Sequence, residues 1–254
     1  MRVTILGCGG AGGVPMLSAG WGACDPNEPR NRRTRPSILV EEAGTRILVD
    51  TSPDLREQLL RCGVNSLDVV IYTHFHADHV HGIDDLREIN RAMQRPIPCY
   101  ADALTLESLH KSFGYVFLGV PQGQPIFRPW LQPHRVDGPF TLGPVTVKPF
   151  EQDHGWASSL GLRFGDFAYS TDVVRLDDAA FEALAGVKVW VVDCLMAQPH
   201  STHAHVDLVL EWVERLRPER TILTHMGPGL DYATLRDSLP ANVEPGFDGM
   251  VIDV

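Results

Sequence analysis

The sequence has few of the features on which membrane, secreted or disulfide-bonded proteins depend. No apolar run approaches the ~18 residues of a membrane span. Residues 1–7 lack the basic start and the long apolar core of a secretion signal. The five cysteines are scattered and odd in number, and they form no CxxC pair. These absences predict a reduced, cytoplasmic protein with no membrane partner.

Positive charge is also scarce. The net charge is -10, with 22 Lys and Arg against 32 Asp and Glu, so attraction to a large nucleic acid is unfavourable. The basic run at residues 31–35 suits either contact with a substrate phosphate or a solvated loop. With 254 residues, 44% of them hydrophobic, the chain can bury a substantial core. No linker-like break interrupts it, which predicts one domain over residues 1–254 and leaves a homodimer open.

Histidine, in contrast, is concentrated in one short segment. Four of the 11 histidines lie in the stretch Tyr72-Thr73-His74-Phe75-His76-Ala77-Asp78-His79-Val80-His81-Gly82. Side chains two apart on an extended backbone point the same way, so His74 and His76 can reach one metal ion. Asp78 and His79 follow at the turn and can reach a second ion. Imidazole and carboxylate at this spacing are typical of zinc, manganese or iron sites, although a polar loop with incidental histidines is the alternative.

A glycine-rich segment, residues 7–15, follows the first predicted strand. Its letters match GxGxxG, but Pro15 and a polar loop to residue 35 replace the helix that a dinucleotide-binding fold requires. Glycine allows close approach of a ligand to the backbone. We therefore expect a loop that lines a phosphate-sized pocket, with Gly9, Gly10 and Arg33 as candidate substrate-binding residues.

Strand and helix patterns alternate along the rest of the chain. Strands are predicted at residues 2–6, 36–41, 45–50, 68–73, 97–100, 145–150, 159–164, 166–170, 187–192 and 221–224, with a final strand pair around 245–250. Helices are predicted at residues 53–62, 83–93, 103–113, 206–216 and 231–238. Residues 114–135 are expected to form a long loop or flap, whose aromatic residues either cover a core edge or stack on a substrate. They are Tyr115, Phe117, Phe127 and Trp130.

Candidate ligands lie at the predicted strand ends, at His74, His154, Asp172 and His225. Two mixed sheets with helices outside would bring such strand ends to one edge, which predicts an α/β fold of the αββα kind. Asp50 also ends a strand. It is expected either to accept the second N–H of a ligand histidine or to cap the next helix.

The first motif resembles a known family. His74-x-His76-x-Asp78-His79 is similar to the HxHxDH signature of the metallo-β-lactamase superfamily. This resemblance implies a four-layer αββα sandwich and two divalent metal ions, manganese or zinc. It assigns His74, His76, His154 and Asp172 to one ion, and Asp78, His79, His225 and Asp172 to the other, so that Asp172 bridges them.

A narrower resemblance covers essentially the whole chain. Residues 7–9, 193–194, His203, 223–225 and 246–250 look like the phosphoribosyl cyclic phosphate phosphodiesterases of the carbon–phosphorus lyase pathway. Ribonuclease Z is a more distant relative. The resemblance implies that a metal-bridging hydroxide attacks a small cyclic or nucleotide-like phosphodiester. His203, 22 residues before His225, and Asp78 are the implied catalytic residues.

The sequence departs from these relatives in two respects. Of the cysteine cluster that holds a structural zinc in that phosphodiesterase group, only Cys24 is present, so no structural zinc is expected. A basic arm like the one with which ribonuclease Z holds tRNA is missing, so a small substrate is expected. The same ligand set would also serve a thioester hydrolase of the glyoxalase II kind. A non-catalytic module that binds metal or nucleotide is the third reading.

Overall fold

Two seven-stranded sheets pack face to face in the computed structural model, which describes residues 1–121 and 128–254. The first sheet, in spatial order, contains β14 (Val251–Asp253), β1 (Arg2–Gly7), β2 (Ser37–Glu42), β3 (Thr45–Val49), β4 (Val69–Ile71), β5 (Ile97–Ala101) and β6 (Leu131–Arg135). The second contains β13 (Val243–Pro245), β12 (Arg220–Thr224), β11 (Val189–Asp193), β10 (Phe167–Ser170), β9 (Ala157–Phe164), β8 (Val145–His154) and β7 (Phe140–Leu142). The predicted pair of mixed sheets is confirmed.

Both sheets have the same order of strand pairing. Counted from β14 in the first sheet and from β7 in the second, three antiparallel pairs are followed by three parallel pairs. Because parallel strands end at the same edge of a sheet, the residues that follow them lie along that edge. The fold therefore collects polar residues from distant parts of the chain.

The described helices lie outside the sheets, as predicted. They are α1 (Leu55–Arg61), α2 (Ala77–Val80), α3 (Leu86–Met93), α4 (Ala103–Phe113), α5 (Asp178–Leu184), α6 (Val206–Leu216) and α7 (Tyr232–Ser238). The bounds predicted for α4 and α6 are those observed. The side chain of Asp102 caps α4 by accepting from the backbone N–H of Thr105, which satisfies a donor that the first helical turn leaves free.

Alternating apolar residues explain why both faces of the sheets are covered. In β2, Ile38 and Val40 pack in the core between the sheets, whereas Leu39 packs in the core under α1, α3 and α4. The β2–β3 hairpin turns at Ala43 and Gly44, where φ is 45° and 85°. Positive φ at both positions matches the turn type that two-residue hairpins favour. No helix in the described part of the chain is both long enough and apolar enough to cross a membrane.

The prediction of one long loop at residues 114–135 is wrong in part. Residues 131–135 form the edge strand β6, which pairs in parallel with β5. Trp130 is buried, and its ring meets that of Tyr115 edge to face, so these aromatic residues cover the core under the helices. Phe127 lies outside the described residues.

The predicted strand pair around residues 245–250 is also wrong. β13 and β14 lie at the edges of different sheets, next to β12 and β1 respectively. Residues 246–250 connect the two sheets, with Gly246 N–H donating to Leu223 O and Gly249 N–H donating to Ile5 O. The elements α2, α5, β6 and β7 are not predicted from the sequence.

Candidate metal centre

The seven side chains proposed as metal ligands converge on one point at the edge of the two sheets. His74, His76, His154 and Asp172 form one group, and Asp78, His79, His225 and Asp172 form another. Within each group the donor atoms lie within 4.8 Å of one another. The first sheet supplies the segment after β4, and the second supplies the end of β8 and the residues after β10 and β12. All seven are buried except His76, which is half-buried.

Asp172 lies between the two groups and divides its carboxylate oxygens between them. Oδ2 is 3.6 Å from Nε2 of His74 and 3.4 Å from Nε2 of His154. Oδ1 is 3.0 Å from Nε2 of His79 and 3.4 Å from Nε2 of His225. One carboxylate therefore faces both groups, as a ligand that bridges two cations must.

The outer nitrogens of the histidines have partners that define which nitrogen faces inward. Nδ1 of His79 is 2.7 Å from a carboxylate oxygen of Asp50, and Nδ1 of His154 is 2.7 Å from the carbonyl oxygen of Thr202. Since neither oxygen carries a hydrogen, both Nδ1 atoms must be N–H donors. In the neutral rings the lone pair is then on Nε2, which points into the centre and is available to a metal.

The histidine nitrogens that face the centre are placed to bind a cation. Among the described residues, Nε2 of His74 and Nε2 of His76 are buried without a hydrogen-bond partner. Nε2 of His154 faces Nδ1 of His76 at 3.2 Å. Burial lowers the pKa of His154, and burial together with the neighbouring His79 lowers the pKa of His74 well below its usual value. In His79 and His225, burial is outweighed by the neighbouring carboxylates, Asp172 first, which raise the pKa, so a cation would take the place of a proton on those two rings. Imidazole and carboxylate are the donors that zinc and manganese accept.

Asp50 has the position expected of a ligand support, and the helix-cap alternative is wrong. Its carboxylate accepts from Nδ1 of His79 and from both the N–H and the hydroxyl of Thr73. The residue before α1 is Asp54. Asp50 therefore holds the ring of His79 in one orientation.

Asp50, Asp172 and His225 also share an uncommon backbone conformation, with φ of 64°, 52° and 57°. The left-handed region is sparsely populated by residues other than glycine, although Asp and His enter it more often than most. Such conformations persist where surrounding contacts over-determine them, typically at functional sites.

Changing Asp50 to Asn should weaken metal binding without disturbing the fold. Asn keeps the shape and tolerates the left-handed backbone, but it removes the charge that supports His79. Loss of such a support typically costs ~10–100-fold in metal affinity. Competition with a chelator would measure the change, and Asp54→Asn, four residues away, is the matched control. An unchanged affinity in Asp50→Asn would contradict this role.

His203 lies beside the ligand groups and is held by Asp193. Its Nδ1 is 2.9 Å from Oδ2 of Asp193, which also accepts from the backbone N–H of Val173. Its Nε2 faces the centre, 4.0 Å from Oδ2 of Asp172, and its ring stacks on that of His225 with centroids 4.6 Å apart. A histidine oriented in this way can give or take a proton at Nε2. His205, by contrast, lies at the N-terminus of α6.

Gly9 and Gly10, which are predicted to bind substrate, have backbone N–H groups that donate to carbonyl oxygens of the protein. The N–H of Gly9 donates to Thr34 O at 2.8 Å, and the N–H of Gly10 donates to Met226 O at 3.1 Å. A Cβ on Gly10 would lie 2.9 Å from the side chain of Leu195, so glycine there permits close packing next to the His225 segment. Both of these N–H donors are therefore used by acceptors inside the protein.

Arg33 is likewise internal. Its side chain is 2% exposed, and its Nη1 donates to the carbonyl oxygen of Gly227 at 3.3 Å. Asp248, from the connection between the sheets, accepts from the N–H and hydroxyl of Thr34 and from the N–H of Cys8. The basic run and the 246–250 motif therefore brace the glycine loop against the segment that carries His225.

No sequence pattern singles out Trp156, yet its indole lies at the rim of the centre. The ring is 5.0 Å from that of His76, and the side chain is 73% exposed. The only signal in the sequence is its position two residues after His154.

Comparison with known proteins gives a family match over most of the chain. The model of the Beta-lactamase superfamily domain matches residues 45–226. The crystal structure of a diphosphatase from the PhnP family is 33% identical in sequence, covers 100% of this chain and 97% of its own, and superposes with a TM-score of 0.91.

Two curated relatives are similar over different extents. An octanoyltransferase of Porphyromonas gingivalis is 32% identical over 98% of this chain, which spans about half (51%) of the length of that protein. A ribonuclease Z of Bradyrhizobium diazoefficiens is 47% identical over 60 residues, which are 23% of this chain and 20% of that enzyme.

Proposed function

The chain belongs to the beta-lactamase superfamily and has the fold of its metal-dependent hydrolases, and from this premise we propose that it hydrolyses a small phosphodiester with two divalent metal ions. The observation that carries the proposal is the division of the Asp172 carboxylate between two groups of imidazole and carboxylate donors. The similarity to a diphosphatase and to ribonuclease Z supports a phosphate ester as the substrate.

The donor groups define how the ions would be held. His74, His76 and His154 would hold one ion, Asp78, His79 and His225 the other, and Asp172 would contact both. Nitrogen and oxygen donors suit both manganese and zinc. When bound, two such ions lower the pKa of a water toward ~7 and draw negative charge from the phosphoryl oxygens.

The protein's own groups would handle the protons. Asp193 keeps Nδ1 of His203 as a donor, so a proton delivered to the leaving alkoxide oxygen comes from Nε2. Asp78 is the second carboxylate at the centre, with Oδ2 3.3 Å from Nε2 of His225. Besides binding metal, it is the candidate to accept a proton from the attacking water.

The His203–Asp193 pair favours an alkoxide leaving group over a thiolate. A thiol has a pKa near ~8.5, so a thiolate leaves without a proton at neutral pH. An alkoxide is far more basic and needs a general acid. Thioester hydrolysis remains the second candidate because one relative is named for acyl transfer, although this chain spans only half of that protein.

The proposal is tested by comparing four substrates with manganese or zinc added. We expect turnover of bis(p-nitrophenyl) phosphate and of small cyclic phosphodiesters, and loss of that turnover after chelation. S-lactoylglutathione represents the thioester class, and precursor tRNA represents large RNA, which a net charge of -10 disfavours. Faster turnover of either of these than of the small phosphodiesters would reject the proposed substrate class.

A further inference from the structure

Trp156 exposes a large aromatic side chain at a place where the fold offers no obvious reason for it. Tryptophan is highly buried on average, yet this side chain is 73% exposed. It lies in the turn between β8 and β9, directly after Gly155 and two residues after the proposed ligand His154. Its position next to the centre, rather than its exposure alone, makes the indole a candidate contact for a substrate.

The indole forms part of the rim on the His76 side of the centre. Its ring centroid is 5.0 Å from that of His76, at 43° between planes, and 6.5 Å from that of Phe75. The ring of His76 is in turn 5.0 Å from that of His154. A group attached to a phosphate at the centre therefore lies within reach of the Trp156 ring.

The turn that carries Trp156 is held firmly in place. The N–H of Gly155 donates to Oδ1 of Asp153 at 2.7 Å, and Arg175 pairs with the other oxygen of that carboxylate. Gly155 has a φ of 77°, and a Cβ there would lie 2.6 Å from Cγ2 of Thr202. The turn therefore packs against the segment that leads to His203.

We propose that Trp156 is a stacking platform for a nucleobase carried by the phosphodiester substrate. This inference rests on the proposed function and narrows its substrate class to nucleoside phosphodiesters. Base–aromatic stacking contributes ~1–3 kcal/mol per base, and it needs only a flat, accessible ring. The platform therefore acts on binding of the base and not on the reacting phosphorus.

The test compares matched substrates with and without a base. A nucleoside 2′,3′-cyclic phosphate is measured beside a ribose cyclic phosphate that lacks the base. Trp156→Leu should lower kcat/KM for the nucleotide by ~10–100-fold, the equivalent of the stacking energy, and should leave the base-free substrate nearly unchanged. Trp156→Phe should restore part of the loss. Leu60→Ala, at a side chain 62% exposed on α1, is the control for removing exposed apolar surface.

Equal losses on the two substrates in Trp156→Leu would overturn the platform and indicate that the indole supports His76. A second readout does not depend on turnover. Adenosine monophosphate should quench tryptophan fluorescence in the metal-loaded native protein and not in Trp156→Phe or Trp156→Leu, and equal quenching in all three would also overturn the proposal. If the native protein cleaves no phosphodiester, the proposed function fails, while the fluorescence titration still decides whether Trp156 binds a base.

Discussion

Replacement of Asp172 by alanine should remove most of the bound metal and lower hydrolysis by at least ~10³-fold, because metal ions contribute several kcal/mol to such reactions. The reason is geometric: Oδ1 and Oδ2 of this one carboxylate face different donor groups. Without it, five histidines and Asp78 would hold two cations, and Asp78 would be the only carboxylate among the proposed ligands. Elemental analysis and kcat on bis(p-nitrophenyl) phosphate measure the two effects.

Two further variants make the result interpretable. Asp172→Asn keeps the side-chain shape and tolerates the left-handed backbone, so a loss of metal in it cannot be ascribed to misfolding. Cys24→Ser should leave the metal content at two ions per chain, since no structural metal is expected at that cysteine. A fully loaded and active Asp172→Ala protein would contradict the dinuclear proposal, and a metal lost from Cys24→Ser would contradict the second expectation.

Replacement of His203 by alanine should leave both metals bound and should slow the reaction according to the leaving group. For an alkyl phosphodiester, whose alkoxide needs a proton, kcat should fall by ~10²–10⁴-fold, the usual contribution of general acid–base catalysis. For a p-nitrophenyl ester the loss should be smaller, because p-nitrophenolate leaves without a proton. The ratio of the two losses is the decisive measurement.

The neighbours of His203 provide the controls. His200→Ala changes a half-buried ring 5.4 Å from His203 and should have little effect. Asp193→Asn removes the carboxylate that orients Nδ1, and it should reproduce the dependence on the leaving group in weaker form. Equal losses for alkyl and p-nitrophenyl esters in His203→Ala would show that His203 positions the phosphate. Loss of metal would show that it is a ligand.

The sequence reveals those parts of the fold and the site that depend on local pattern. The helical periodicity of residues 103–113 and 206–216 defines α4 and α6, and the hairpin turn is marked by Ala43-Gly44. The segment His74 to His79 is recognisable because its spacing is short. Family resemblance and strand-end position predict His154, Asp172 and His225 as metal ligands. The structure brings all three to the same centre.

What the sequence does not reveal depends on long-range packing. Arg33 is predicted to contact a substrate phosphate because it stands in a basic loop, yet its guanidinium is buried and donates to the carbonyl oxygen of Gly227, 194 residues away. The sequence around residues 245–250 resembles a hairpin, but β13 pairs with β12 in one sheet and β14 pairs with β1 in the other. The turn that carries Gly155 and Trp156 packs against Thr202, a contact between distant parts of the chain that no local pattern encodes.

The repeated order of strand pairing gives the two sheets equivalent positions around the centre. Asp50 follows β3 and Asp172 follows β10, which are the fourth strands of the two sheets counted from β14 and β7. Both aspartates have the left-handed backbone, and both lie next to His79. The two aspartates therefore have equivalent places in the two sheets. One supports the ring of His79 and the other faces both donor groups, so neither sheet alone carries a complete set of donors.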